Sequence, residues 1–332
     1  MEMINTHDLE TPLLEVKDLK TYLPTVDGVV KAVDGVDFSL GYFESLGIAG
    51  ESGCGKTMLA LSIMGLVPFF TKRTLQGEVL FKGKDLLKSE DKELSEIRGN
   101  QIAMIFQEPM ISLNPILTIG TQISEIFIRH EGLDQTSANR RSAEMLELVK
   151  IPSARKILGQ YPHQLSGGMR QRVMIAMALV CKPEILIADE PTTALDSTIQ
   201  AQILELIKDL QKQVGTSIIF ITHNLGIIAE STNRVMVMYL GKAVEMGSVF
   251  DIFDHPMHPY TQALLNAVPK LGMRSKLGKK RLEEIMGAVP NPLNLPPGCK
   301  FHPRCPRTNK MCEEGEPELQ RIGDHHFVRC WV

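Results

Sequence analysis

Apolar and polar residues alternate from Leu13 to Leu40 around the turn signals Asp27-Gly28 and Asp34-Gly35, a pattern that predicts a small antiparallel sheet. Gly77 to Gly83 reads as a further short strand closing it. Elsewhere the apolar residues run without alternation. Ser45–Ala49, Ile102–Phe106, Ile185–Ala188 and Ser217–Thr222 are short unbroken runs, as expected of strands buried on both faces. Between them the period lengthens to that of a helix. Met58 to Met64, Thr118 to Lys150, Val173 to Val180 and Thr198 to Lys212 all read as helical. In the second of these Ile119, Ile123, Ile126 and Phe127 form one stripe and Met145, Leu146 and Val149 another. In the last, Ile199, Ile203, Ile207 and Leu210 share the face that covers a sheet. Val235–Met238 and Lys242–Glu245 predict a final hairpin around Tyr239 to Gly241. The alternation of buried strands with helices predicts an α/β chain with a mainly parallel core and an antiparallel subdomain.

The chemistry gathers where strands end. Gly50-Glu51-Ser52-Gly53-Cys54-Gly55-Lys56-Thr57 lies between a predicted strand and a predicted helix and has the spacing of a phosphate-binding loop. The three glycines let the backbone turn tightly and aim its N–H groups inward, Lys56 brings a positive charge, and Thr57 offers a hydroxyl to Mg2+. Gln107 closes the strand Ile102–Phe106, a position from which an amide can reach a metal or water beside phosphates. Asp189 and Glu190 stand at the tip of another apolar strand, one suited to hold Mg2+ through water and the other to orient an attacking water. His223 follows a third such strand. Leu165-Ser166-Gly167-Gly168-Met169 opens onto the helix at Val173, with Ser166 as its cap, and forms a second anion site. Tyr22 is placed either to stack on a base or to pack on its own sheet.

Composition narrows the class. The net charge is −3 and the pI about 6.3 over 332 residues, which leaves no basic footprint for nucleic acid. No run is long enough for a membrane span and Met1 to Glu10 lacks a signal peptide's pattern, so a cytoplasmic chain is expected. Cys54 and Cys181 are isolated, whereas Cys299, Cys305, Cys312 and Cys330 crowd the C-terminal end. In a reducing compartment that crowding points to a metal site, zinc or an iron–sulfur cluster. Tight pairs of the zinc-ribbon kind are absent, which favours iron–sulfur, and a metal would stabilise a tail poor in apolar residues.

Together these motifs resemble the nucleotide-binding subunit of an ATP-binding cassette (ABC) transporter. Gly50–Thr57 resembles Walker A, Gln107 the Q-loop, Leu165–Met169 the family signature and Ile185–Glu190 Walker B. Ala194-Leu195-Asp196 resembles the D-loop, His223 the switch histidine, and Tyr22 stands where the family keeps its adenine-stacking aromatic. Phe250–Thr261 and Gly298–Pro306 resemble the C-terminal extension of dipeptide and oligopeptide importer ATPases. The resemblance implies a P-loop NTPase cassette over residues 1–250, with a helical subdomain at about 108–180, and a small metal-binding extension over 251–332. It implies ATP and Mg2+ as cofactors, held by Gly50, Ser52, Gly53, Cys54, Gly55, Lys56, Thr57, Gln107 and Asp189. Glu190 would polarise the attacking water and His223 would contact the γ-phosphate. Ser166, Gly167, Gly168 and Asp196 belong to the loops that meet nucleotide, with the signature closing over ATP held by the other subunit. It implies too that Cys299, Cys305, Cys312 and Cys330 bind a 4Fe-4S cluster.

The implied assembly is peripheral to the cytoplasmic face of the inner membrane. Two permease subunits, a second and non-identical ABC ATPase and an external substrate-binding protein would complete it. Import of nickel or a metal chelate is an alternative cargo. A soluble ABC ATPase of DNA repair or translation fits less well, because the long coiled coil of the first and the second cassette of the other are missing.

Overall fold

The computed structural model describes residues 11–68, 71, 74–108, 112–193, 195–267 and 285–331. Met1 to Glu10, Pro109 of the loop after Gln107, Ala194 of the D-loop resemblance and residues 268–284 of the tail lie outside them. In chain order the elements are β1 (Leu14–Thr25), β2 (Gly28–Leu40), β3 (Ser45–Ala49), α1 (Lys56–Ile63), β4 (Gln76–Phe81), β5 (Lys84–Asp85), α2 (Asp91–Ile97), β6 (Ile102–Ile105), α3 (Ile119–Glu131), α4 (Gln135–Leu148) and α5 (Ala154–Ile157). They continue with α6 (Gly167–Leu179), β7 (Ile185–Asp189), α7 (Ser197–Val214), β8 (Ser217–Ile221), α8 (Leu225–Ser231), β9 (Arg234–Tyr239), β10 (Lys242–Ser248), α9 (Val249–Asp254), α10 (Pro259–Asn266), α11 (Lys310–Glu314), β11 (Gln320–Arg321) and β12 (Phe327–Val328). Contacts divide the chain into two compact units.

The first unit holds residues 88–221 with short pieces from the N-terminal part of the chain. Its strands β6, β7 and β8 pair in parallel, β7 between the other two, and every residue of all three is buried. Burial on both faces is why these runs are apolar throughout. The predicted helix from Thr118 to Lys150 is two helices. Gly132 adopts the left-handed conformation (φ 66°) that ends α3, and Asp134 starts α4 by accepting from the N–H groups of Thr136 and Ser137. The two pack on each other and on α6, burying Ile119, Ile123, Phe127 and Leu146. Asp196 caps α7 and left-handed Gly215 ends it, so that Ile203, Leu206, Ile207 and Leu210 form its buried stripe.

The second unit takes most of residues 14–87 together with 222–332. One sheet has the order β2-β1-β4-β5, with β1 and β4 antiparallel. Their register shifts between Lys17 and Lys20, where Asp18 takes φ 44°. In the other sheet β3 pairs in parallel with β9, β9 with β10 in the predicted hairpin, and β10 with β12, which in turn carries β11. The last two strands come from the C-terminal tail.

Tyr239, Tyr260 and Phe301 form the centre of this unit's core, with ring centroids 4.7, 5.2 and 5.3 Å apart. Around it the tail is fastened by polar contacts. Glu245 is fully buried, and its carboxylate accepts from the N–H groups of Met257 and His258 and meets His326 Nε2 at 2.8 Å. His258 then caps α10, its Nδ1 accepting from the Tyr260 N–H at 3.0 Å.

That role requires His258 to stay neutral. Burial, with a lesser push from Arg329, lowers its pKa from 6.5 to about 3. Between those two values the unfolded chain binds a proton that the folded chain refuses, so stability falls as the pH drops from about 6.5. The slope contributed is up to roughly 1.4 kcal/mol per pH unit. His258→Asn keeps an oxygen able to cap the helix, and the variant is expected to melt lower at pH 7 but with a shallower acid limb. Thermal denaturation of both proteins from pH 7 to pH 5 reads the difference; parallel curves would show that His258 is charged in the fold.

Candidate functional site

In the second unit, β3 delivers the chain into the loop from Gly50 to Thr57, and α1 begins at Lys56. Gly50, Gly53 and Gly55 all have positive φ, at 151°, 79° and 106°. The surroundings demand glycine at two of them. A Cβ on Gly50 would lie 2.3 Å from the Met238 carbonyl oxygen, and one on Gly55 2.1 Å from that of Ala32. At Gly53 nothing lies within 4 Å of the same construction, so the loop is tight on its β-sheet side and open at its crest. Ser52, Gly53 and Thr57 are exposed. Gly55 caps α1 with no side-chain bond, which leaves the first N–H groups of the helix for a ligand.

Lys56 is 6% exposed, and its Nζ donates to the carbonyls of Gly50 at 2.8 Å and Glu51 at 3.0 Å. Glycines that permit a cradle, bare helix N–H groups and a lysine folded across the loop fit a bound polyphosphate. Cys54 is 3% exposed, and burial pushes its thiol pKa up against the opposing pull of Lys56.

Tyr22, at the other sheet of this unit, donates from its hydroxyl to Asp34 Oδ1 at 2.7 Å, and Lys31 Nζ lies 5.5 Å from the ring centroid. Asp34 also accepts from Lys300 Nζ at 2.9 Å and pairs with Lys242 at 3.5 Å. Burial alone would raise the Asp34 pKa, but the bonds from Tyr22 and Lys300 and the charges of Lys300 and Lys242 outweigh it and hold the carboxyl well below the usual range.

In the first unit Asp189 ends β7, 1% exposed, and Glu190 follows in a left-handed conformation (φ 47°). Its N–H is tied to the Ile221 carbonyl of the neighbouring strand at 2.8 Å. Its Oε2 accepts from Gln107 Nε2 at 3.2 Å and from Thr193 Oγ1 at 2.7 Å. The structure therefore brings Gln107 and Glu190 together, as their positions at neighbouring strand ends predict, and adds Thr193. Ser166 is the cap of α6, accepting from the Met169 N–H at 3.3 Å. The helix begins at Gly167, six residues before the predicted start, because the two glycines form its first turn. A Cβ on Gly168 would press to 3.0 Å from Ile199 of α7, while Asp196 accepts from the N–H groups of Thr198 and Ile199. His223 is exposed just past β8.

The metal reading of the tail is overturned. Among the described residues no group of three or more His, Cys, Asp or Glu side chains is placed to hold a metal ion. Cys299, Cys305, Cys312 and Cys330 are therefore corrected from iron–sulfur or zinc ligands to free cysteines. Crowding along the chain was a poor guide to ligation, and the expected need for metal stabilisation is met by other means. The Cys299 N–H donates to the Cys312 carbonyl, Cys312 is buried at the start of α11, and the Cys305 sulfur accepts from the Arg307 N–H. Phe301 enters the aromatic core, Lys300 reaches Asp34, and Arg304 pairs with Glu51.

Glu51, Arg304 and Thr193 were not legible as site residues. Arg304 grips Glu51 with two bonds, at 2.7 and 3.1 Å, across 253 positions of sequence. No local spacing signals such a pair.

Comparison with known proteins bears on the whole chain. Residues 33–193 match the ABC transporter family, and residues 244–312 match the C-terminal region of oligopeptide/dipeptide transporters. The chain is 51% identical to the probable peptide ABC transporter ATP-binding protein y4tR of Sinorhizobium fredii, over 96% of this chain and 94% of that one. It is 49% identical to the oligopeptide transport ATP-binding protein AppD of Bacillus subtilis, over 96% of each. Among solved structures, the dimeric bacterial ABC transporter cassette MJ0796 superposes with a TM-score of 0.63 at 28% identity, covering 71% of this chain and 98% of that one. The same cassette is also known as a dimer in a post-hydrolysis state bound to ADP and Pi, with the same score and coverage. With a phosphate loop, two carboxylates at the end of a buried strand and likeness along nearly its entire length, this chain belongs to the ATP-binding proteins of peptide ABC transporters.

Proposed function

We propose that this chain is the ATP-hydrolysing subunit that energises import of dipeptides or oligopeptides through a membrane ABC transporter. The observation that carries the reading is that one chain joins a phosphate loop of cradle geometry to a tail matching the oligopeptide/dipeptide transporter C-terminal region. Relatives at 49–51% identity bear peptide-transport names, which disfavours nickel or metal-chelate cargo. Among the described residues no helix is long and apolar enough to cross a membrane. The chain works peripherally at the cytoplasmic face of the inner membrane, with two permease subunits, an external substrate-binding protein and a second, non-identical ATPase. Residues 1–250 serve as the nucleotide-binding domain and 251–332 as its extension.

The loop N–H groups and Lys56 would hold the ATP phosphates, and Thr57, Gln107 and Asp189 would hold Mg2+, which would offset phosphate charge. Tyr22 would stack on the base, Glu190 would draw the proton of the attacking water, and His223 would meet the γ-phosphate. Ser166, Gly167, Gly168 and Asp196 act on nucleotide bound to the partner ATPase. Ser166 and Gly167 are exposed at the start of α6, where the helix N-terminus suits an anion, which supports that arrangement.

Reconstitution with the permeases and binding protein in vesicles tests the function: peptide uptake should require internal ATP and stop with Lys56→Ala. A Ser166→Arg subunit should bind ATP normally alone yet support roughly a hundredfold less hydrolysis in the assembly, the range lost with one positioned transition-state contact. If Ser166→Arg instead lost ATP affinity in the isolated subunit as severely as Lys56→Ala, the signature would act on nucleotide in its own subunit.

A further inference from the structure

The phosphate loop contains one acidic residue, Glu51, beside its one basic residue, Lys56. A carboxylate there opposes the purpose of the loop, because any polyphosphate brought to the adjacent N–H groups meets its negative charge. The fold answers from the far end of the chain. Arg304 lies in the tail with its side chain 3% exposed, and it grips both Glu51 oxygens, Nη1 to Oε2 at 2.7 Å and Nη2 to Oε1 at 3.1 Å. The guanidinium is itself fixed. Its Nε donates to the Met286 carbonyl at 3.1 Å, its Nη1 also reaches the Tyr239 hydroxyl at 3.4 Å, and the rings of Tyr239 and Phe301 lie 5.8 Å away. A second tail residue holds the same loop residue, for the Glu51 N–H donates to the Tyr260 hydroxyl at 2.8 Å. Glu51 is thus bound by the tail at both its backbone and its side chain.

We propose that Arg304 is a positioning residue of the nucleotide site, cancelling the Glu51 charge and fixing that side chain so that the loop presents Lys56 and its N–H groups to a polyphosphate with net positive character. The inference rests on the reading of Gly50–Thr57 as the ATP site. Its content is that nucleotide affinity in this chain is set partly by the C-terminal extension. An arginine is required because its planar fork matches both carboxylate oxygens, which an ammonium cannot do. The effect also grows with ligand charge, so ATP depends on the pair more than ADP does.

A merely structural staple between tail and loop would equally weaken the protein when cut, and a charge cycle separates the two. Equilibrium titration of the purified full-length chain with Mg-ATP and Mg-ADP would compare the wild type, Arg304→Met, Glu51→Gln and the double variant. Arg304→Met should bind ATP roughly tenfold more weakly, the scale on which a half-buried charge loses its partner, and ADP should lose less. Adding Glu51→Gln removes the stranded charge and should return ATP affinity to within about threefold of the wild type, whereas a cut staple would leave the double variant as weak as Arg304→Met. Two results overturn the proposal: Arg304→Met binding ATP as tightly as the wild type, or a loss that Glu51→Gln leaves in place. Should Arg304→Met fail to fold, Arg304→Lys keeps the charge and most of the packing while breaking the fork. A several-fold loss that disappears in the Glu51→Gln background then supports the proposal, and no loss or a persistent one overturns it. A wild-type chain that does not bind Mg-ATP would remove the nucleotide reading itself, and this proposal with it.

Discussion

Replacing Glu190 with glutamine is expected to lower steady-state ATP hydrolysis by the assembled transporter roughly a hundredfold or more, the scale lost with a positioned general base. ATP binding should remain within about threefold, because the proposed phosphate contacts are those of Gly50–Thr57 and not of this carboxylate. The expectation follows from how firmly Glu190 is placed. A non-glycine residue at φ 47° is uncommon, and here the backbone is tied to Ile221 of β8. The side chain is then aimed by two donors, Gln107 Nε2 and Thr193 Oγ1, converging on one oxygen. Glutamine has the same shape and loses only basicity, so the variant separates chemistry from architecture. Thr193→Val, which removes one of those donors, should slow hydrolysis by less. Near-normal turnover in Glu190→Gln would move the base to another residue.

Gly55→Ala is expected to abolish measurable ATP binding and to destabilise the protein by roughly 3 kcal/mol or more, the range reached when a backbone clash adds to conformational strain. The methyl carbon would stand 2.1 Å from the Ala32 carbonyl oxygen, and backbone on a paired strand has little room to yield. Gly53→Ala supplies the comparison. It too has positive φ, but its Cβ meets nothing within 4 Å, so the cost is the left-handed strain alone, roughly 1–2 kcal/mol. Thermal melts and Mg-ATP titrations of the two variants should rank them in that order. Equal behaviour would mean that Gly55 is needed for its conformation and not for its contact with Ala32.

The contrast shows what was legible beforehand. The runs that became β3, β6, β7 and β8 could be read because a strand buried on both faces has no polar positions to disguise it. Glu190 and Gln107 could be read because they end such runs. The helical stretch from Thr118 was read as continuous because its stripes nearly line up across Gly132-Leu133-Asp134, yet a glycine stop followed by an aspartate cap is a helix boundary in three residues. The tail was read least well. Strands of two residues, β11 and β12, have no period to detect, and the contacts of Lys300, Phe301 and Arg304 reach partners far away in sequence. The resemblance of Phe250–Thr261 and Gly298–Pro306 to the peptide-importer extension was legible, but with those anchors invisible a metal on the cysteines was asked to supply stability that ion pairs and an aromatic cluster provide.

The span between Glu51 and Arg304 also orders events in the life of the chain. Residues 253 positions apart cannot meet until the chain has been made past Arg304, and closing so long a loop is slow relative to forming the local sheets. The phosphate loop therefore leaves the ribosome well before its clasp does. A chain that stops before Lys300 would keep Gly50–Thr57 but lose both Arg304 bonds to Glu51, and with them the charge pairing inferred above.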